Sequence, residues 1–169
     1  MAFASFTMQP GAVEKGRVMQ LETVISEKEE EEFADFLQDQ IREFNNRESP
    51  FHREARKPGA VVPLFLMLKD DDGLLIGGLS ATTYWNWLEI EHFYIPAKLR
   101  GSGLGSSLLK TAEAIAIQRG CTSSFLTTFA FQARAFYEKQ GYYVVGTLED
   151  YPPGSAYYWM RKDFTPVQA

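Results

Sequence analysis

Three glycines fall within the six residues Arg100-Gly101-Ser102-Gly103-Leu104-Gly105, between a β-rich run at 87–95 and an apolar-periodic run ending near 119. Few local patterns restrict a fold as strongly. Glycine adopts positive φ without a Cβ penalty, so successive backbone N–H groups can turn toward one point. A helix that starts there adds unpaired N–H donors and the positive end of its dipole. The spacing therefore predicts strand, anion-binding turn and helix, with Arg100 supplying a permanent charge and a forked donor. A pyrophosphate suits such a turn. The two common phosphate loops fit poorly: no Gly-Lys-Ser/Thr follows, position 106 is serine where a dinucleotide fingerprint needs its third glycine, and Thr122, Ser123 and Ser124 occupy the place of a ribose-binding acid. By itself, the pattern is also what a glycine-rich turn that merely starts a helix would show.

Periodicity arranges the rest around this turn. Residues 17–25 alternate and predict a strand. Ser26 with Glu29 forms a candidate capping box for a helix whose first turns carry a glutamate run, and Phe33, Phe36, Leu37, Ile41 and Phe44 recur at helical spacing. The glutamates read as a solvated, dipole-favoured helix start. Residues 45–59 are polar and read as a loop with room for a short helix. Residues 61–69 and 74–84 form a hairpin about Asp70-Asp71-Asp72-Gly73, which lacks the spacing of a calcium loop. Trp85-Asn86 makes a second tight turn, and the strand at 87–95 ends at Pro96. Beyond the glycine turn follow a helix, a strand at 122–129, a short helix at 132–140, and strands at 142–148 and 156–162. The order predicts an α/β (α+β) fold: one mixed, mostly antiparallel sheet of about seven strands flanked by helices, with a right-handed crossover in its second half. Residues 1–16 read as an N-terminal extension and 17–169 as a single domain.

The 169-residue length suits one domain. The formal net charge of −5 disfavours non-specific nucleic-acid binding and mildly favours a cationic small molecule, while also being an ordinary soluble surface. The single cysteine, Cys121, permits neither a disulfide framework nor a Cys-His zinc site, and no metal is expected. It reads as a small buried residue at a strand start. Residues 1–16 have no basic stretch leading into an apolar run, and no apolar run approaches membrane-spanning length, so neither leader nor membrane association is expected and the location expected is cytoplasmic.

The segment Arg100 to Gly105, followed by Ser106-Ser107-Leu108-Leu109, resembles the coenzyme A-binding motif of the GNAT acetyltransferases, Gln/Arg-x-x-Gly-x-Gly/Ala. The likeness extends upstream to Leu88-Glu89-Ile90-Glu91-His92-Phe93-Tyr94-Ile95. Downstream, Ala135-Phe136-Tyr137-Glu138-Lys139-Gln140-Gly141-Tyr142 is similar to the family's Ala-x-x-Phe-Tyr-Glu-Lys-x-Gly-Phe. The resemblance covers residues 17 to 164. It implies an N-acetyltransferase that moves an acetyl group from acetyl-CoA to a primary amine by direct attack. It implies a bulged fourth strand splayed from the fifth, with pantetheine against Phe93, Tyr94 and Ile95, a backbone N–H near Phe93 on the thioester carbonyl, and phosphates on Arg100, Gly101, Ser102, Gly103, Leu104, Gly105 and Ser106. It places Glu91 as base, directly or through water, with Glu89 on the same face and His92 on the other if strict alternation holds. Tyr137 takes the position of the acid for the leaving thiolate. Where relatives often carry asparagine before this helix, Gln132 stands here, which puts that cofactor contact in question. Many relatives are dimers, and a homodimer is compatible with this.

The acceptor side is expected from the first helix, the 45–60 segment and the 149–154 loop. Glu149-Asp150-Tyr151-Pro152-Pro153-Gly154 resembles a segment of a small-molecule branch that includes streptothricin-type acetyltransferases. That favours a small-molecule amine acceptor. A protein N-terminus or lysine as acceptor, a non-catalytic acyl-CoA sensor and a nucleotide-phosphate enzyme are the competing readings.

Overall fold

The computed structural model describes residues 23–164 and, before them, the backbone of two short paired segments. The chain divides into two compact units, 1–48 and 49–169. In the first, strands β1 (Val13–Glu14) and β2 (Arg17–Val18) pair antiparallel, and helix α1 spans Glu31–Glu48. The strand expected over 17–25 thus ends early: residues 23–25 are not strand, and 19–22 lie outside the described residues. The capping box does not form either. Ser26 Oγ donates to Glu30 Oε1 at 2.7 Å and accepts from Lys28 N at 3.2 Å, and the helix begins at Glu31 rather than directly after Ser26. A serine can satisfy a local turn as readily as a helix start, and here the turn wins. The apolar stripe Phe33, Phe36, Leu37, Ile41 and Phe44 is present on α1 and exposed.

The second unit begins with helix α2 (Pro50–Glu54) inside the segment read as loop. Ser49 caps it by accepting from His52 N, and Pro50 fills the first turn, where its missing N–H costs nothing. Six strands follow: β3 (Val62–Lys69), β4 (Leu75–Tyr84), β5 (Trp87–Tyr94), β6 (Ser123–Phe129), β7 (Tyr143–Glu149) and β8 (Ala156–Asp163). Helix α3 (Leu104–Gln118) links β5 to β6, and α4 (Arg134–Lys139) links β6 to β7. The sheet order is β3-β4-β5-β6-β8-β7, antiparallel throughout except for β5-β6. Among the described residues the sheet therefore has six strands rather than about seven, since Arg17–Val18 pairs with β1 and residues 23–25 are not strand.

Local chemistry explains the connections. Asp70 Oδ1 accepts from the Asp72 and Leu74 N–H groups at 3.1 and 2.9 Å, so the aspartate triplet builds a turn. Trp85 and Asn86 both take positive φ, 50° and 63°, as a two-residue hairpin turn requires. The core lies on the α3 face of the sheet: Leu88, Leu109, Ala112, Ala116 and Met160 are fully buried, and Cys121 is buried just ahead of β6. Leu109→Ala should lower stability by about 3 kcal/mol. That corresponds to a fall in thermal midpoint of roughly 6–12 °C. A much smaller shift in a thermal melt would mean that Leu109 is not central to this core. Among the described residues no helix is long and apolar enough to cross a membrane.

Candidate active site

The parallel pairing of β5 with β6 runs only from Trp87/Ser123 to Ile90/Leu126. Both strands continue, β5 to Tyr94 and β6 to Phe129, without partners across the gap. The cause is visible in the β4-β5 register. Ser80 faces His92 while Ala81 faces Ile90, so Glu91 is an extra residue, a β-bulge that bends β5 away. Backbone groups of a strand alternate sides, so those of the splayed stretch that do not bond to β4 point into the gap.

The bulge also changes which side chains share a face. Strict alternation would send His92 to the side opposite Glu91. With the extra residue, Leu88, Ile90 and then Phe93 face the core, while Glu89, Glu91 and His92 gather on the opposite face. Their β4 partners confirm it: Tyr84 OH donates to Glu89 Oε2 at 2.6 Å, Thr82 Oγ1 to Glu91 Oε1 at 3.4 Å, and Ser80 Oγ lies 3.1 Å from His92 Nδ1. Burial, helped by the Glu89 carboxylate, pushes the Tyr84 phenol up to about 12, so it remains a donor.

A cleft of about 1040 Å³ opens along the splay. Of the residues predicted from the sequence, it brings together Glu91, Phe93, Tyr94, Ile95, Arg100, Gly101, Gly103, Gly105, Ser106, Gln132 and Tyr137. Ser102 and Leu104 do not line it. Ser102 Oγ donates back to Leu99 O at 2.8 Å and so closes the turn. The glycine turn is built as its sequence requires. Gly101 and Gly103 have φ of 80° and 87°, and a Cβ at either would meet no protein atom within 4 Å, so the space before them is open. Gly103 caps α3 without a side chain, and the first helical bond runs from Ser107 N to Gly103 O, which leaves the N–H groups of Leu104, Gly105 and Ser106 without helical partners. Arg100 is anchored by its Nε on Ile95 O at 2.9 Å, with the outer guanidinium nitrogens beyond that bond.

Tyr137 sits on α4 at the cleft wall and is 7% exposed. Burial raises its phenol to about 12. Gln132 is largely committed elsewhere: its Oε1 accepts from Phe129 N at 2.8 Å and Thr128 Oγ1 at 3.3 Å and so staples the turn between β6 and α4. Only its amide nitrogen is left to serve a ligand in the cleft.

Two features were not legible beforehand. One is a smaller cleft of about 310 Å³ lined by His52, Arg56, Thr82, Tyr84, Trp85, Glu89 and Glu91. Glu91 lines both clefts. Residues 45–60 thus supply part of this wall through α2 and the turn after it, while the first helix belongs to the other unit. The second feature is an aromatic cluster, Phe129, Phe131 and Tyr157, that lines the main cleft. Residues 149–154 line neither cleft directly; Tyr151 stacks behind on Phe129 at 6.2 Å. Strand parity separates Phe129 from buried Leu126, which was the one available signal that it faces away from the core.

A crossover pair that splays at a bulge, with a glycine-turn helix N-terminus at one end of the gap, defines the fold of the GNAT acyltransferases. The chain belongs to that family: the model described as Acetyltransferase (GNAT) family matches residues 18–142. It is similar to a blasticidin-S acetyltransferase of Streptomyces morookaense, with 40% identity over 54% of this chain and 68% of the relative. It is also similar to an acetyltransferase of Agrobacterium fabrum, at 32% over 60% and 74%. Among solved structures, an acetyltransferase from Bacillus cereus superposes with a TM-score of 0.72 and 28% identity, over 83% of this chain and 98% of the other. The protein is an acetyltransferase.

Proposed function

We propose that the protein transfers the acetyl group of acetyl-CoA to a primary amine of a small molecule by direct attack. The observation that carries this reading is Glu91, a carboxylate at the junction of two clefts, with the protonated Tyr137 phenol on the wall of the larger one. The larger cleft fits an extended thioester whose phosphates rest on Gly101, Gly103 and the first N–H groups of α3, with Arg100 adjacent. The smaller fits an acceptor: Glu89 and Glu91 suit a cationic amine, in keeping with the chain's negative charge. The similarity to a blasticidin-S acetyltransferase supports a small-molecule acceptor.

The chemistry sets the roles. A lysine-like ammonium must lose a proton before attack, which near pH 7 costs about 4.6 kcal/mol. Glu91 takes that proton, directly or through water. The nitrogen then bonds to the acyl carbon, and a backbone N–H of the splayed stretch near Phe93 stabilises the oxyanion. As the carbon–sulfur bond breaks, Tyr137 donates a hydrogen bond to the departing sulfur. Outright transfer from a phenol at about 12 to a thiolate of ordinary pKa is uphill by roughly 5 kcal/mol, so the hydrogen bond is the main contribution. The nitrogen loses a second proton after attack, and that proton completes the thiol, while the first leaves Glu91 to solvent.

Tyr137→Phe keeps the buried ring and removes the donor. A hydrogen bond to a charged group contributes about 1.5–3 kcal/mol, so kcat should fall about tenfold or more with acetyl-CoA affinity nearly unchanged. Unchanged turnover would remove Tyr137 from the reaction. The reading as a whole is tested by calorimetry with acetyl-CoA, followed by thiol release across a panel of small amines. Binding with turnover supports it. Binding with no small amine turned over would favour a protein acceptor or a sensor, and absence of binding would overturn it.

A further inference from the structure

Gly77 and Gly78 line neither cleft, yet they adjoin the end of β5 furthest from its last pair with β6. Gly78 stands opposite Tyr94, the final residue of β5. A Cβ at Gly77 would lie 2.7 Å from Tyr94 O and 3.1 Å from Pro96 Cδ, closer than a side chain tolerates against backbone. The bare backbone of Gly77 is thus a seat on which the chain leaving β5 rests. A Cβ at Gly78 would point the other way, 2.2 Å from Leu66 O on β3. One glycine serves the β3-β4 hairpin and the other serves β5.

The seat reaches the phosphate turn in two steps. Tyr94 directs its carbonyl at β4, so by alternation the backbone groups of Phe93 and Ile95 point away from β4 and into the gap. Ile95 O then accepts from Arg100 Nε at 2.9 Å, which anchors the residue that opens the glycine turn. With β4 on one side of β5 and the gap on the other, a chain lifted off Gly77 moves toward the gap, where it has no β6 partner to resist it. Lengthening the contact from 2.7 Å to an ordinary 3.4 Å takes about 0.7 Å of movement. A shift of that size carries a 2.9 Å hydrogen bond beyond its useful length.

We infer that Gly77 is a positioning residue for the cosubstrate: its bare backbone sets where residues 94–96 lie and, through Ile95 and Arg100, where the phosphate-binding turn stands. This rests on the reading that acetyl-CoA occupies the larger cleft. Gly77 acts from the side of β5 remote from the gap, through the chain laid across it.

Gly77→Ala should raise the Kd and the KM for acetyl-CoA about tenfold, the effect of losing one hydrogen bond to a charged group. The KM for the amine and kcat at saturating acetyl-CoA should stay near the wild-type values, because Phe93 keeps its β4 partner Leu79 and Glu91 its place in the bulge. Met160→Ala is the control for general instability: Met160 is fully buried and lines neither cleft, so its loss should lower the thermal midpoint and leave the Kd for acetyl-CoA unchanged. Wild-type affinity in Gly77→Ala would overturn the inference. A loss of affinity of the same size in Met160→Ala, or a fall in kcat with KM unchanged in Gly77→Ala, would overturn it too. Should Gly77→Ala fail to fold, Pro96→Ala carries the test. It removes the ring from above Gly77 and loosens the same seat, so the KM for acetyl-CoA should rise severalfold with kcat kept, and an unchanged KM would overturn the inference. Calorimetry on the wild type separates the two readings: absence of acetyl-CoA binding there overturns acetyl transfer and this inference with it, whereas wild-type binding that Gly77→Ala leaves intact overturns this inference alone.

Discussion

Glu91→Gln should lower kcat/KM about a hundredfold near neutral pH, the low end of what a positioned general base contributes. The substitution keeps the shape of the side chain and its 3.4 Å approach to Thr82, and removes the charge that accepts the amine's proton. The pH dependence separates this role from simple attraction of the substrate. The cost of deprotonation falls as pH approaches the amine's own pKa, near 10.4 for a lysine-like amine, so a lost base matters less there. The ratio of wild-type to variant kcat/KM should therefore shrink steadily from pH 7 to pH 10. The Tyr137 phenol, raised to about 12, stays protonated across that range and does not confuse the profile. A ratio that does not change with pH would leave Glu91 as a binding carboxylate and assign the proton to another group.

Gly103→Val should weaken acetyl-CoA binding tenfold or more by calorimetry. Gly103 has φ of 87°, where a β-branched residue is a genuine outlier, and the added carbons would project into the open space in front of the α3 N-terminus. Strain alone costs about 1–2 kcal/mol, so a control is needed. Gly120 follows the other end of α3 with a similar φ of 83° and equally open surroundings, and it lines neither cleft. Gly120→Val should therefore match the loss of thermal stability without the loss of affinity. If both variants bind acetyl-CoA as the wild type does, the phosphates rest elsewhere.

The local elements of the second unit could be read from residue patterns because each is set by neighbours in sequence. The hairpin strands at 62–69 and 75–84, the Asp70 turn, the Trp85-Asn86 turn and the helix at 104–118 all occur within a residue or two of where the sequence places them. The N-terminal part was harder. Ser26 had two uses of similar energy, a helix cap or a local turn, and spacing does not choose between them. Likewise Gln132 stands where a cofactor contact was expected, yet its oxygen bonds the backbone of Phe129, three residues before it.

The sequence by itself determined the glycine turn, the order of strands and helices about it, and the residue types available for chemistry, since backbone freedom, periodicity and turn preference are local properties. Only the tertiary structure decided what those residues do together. One extra residue at Glu91 reverses strand parity, which carries His92 to the face of Glu89 and Glu91. The point at which β5 and β6 stop pairing opens the cleft. Register is a property of two strands at once, and a cleft is a property of where their pairing ends, so neither could be read along a single segment.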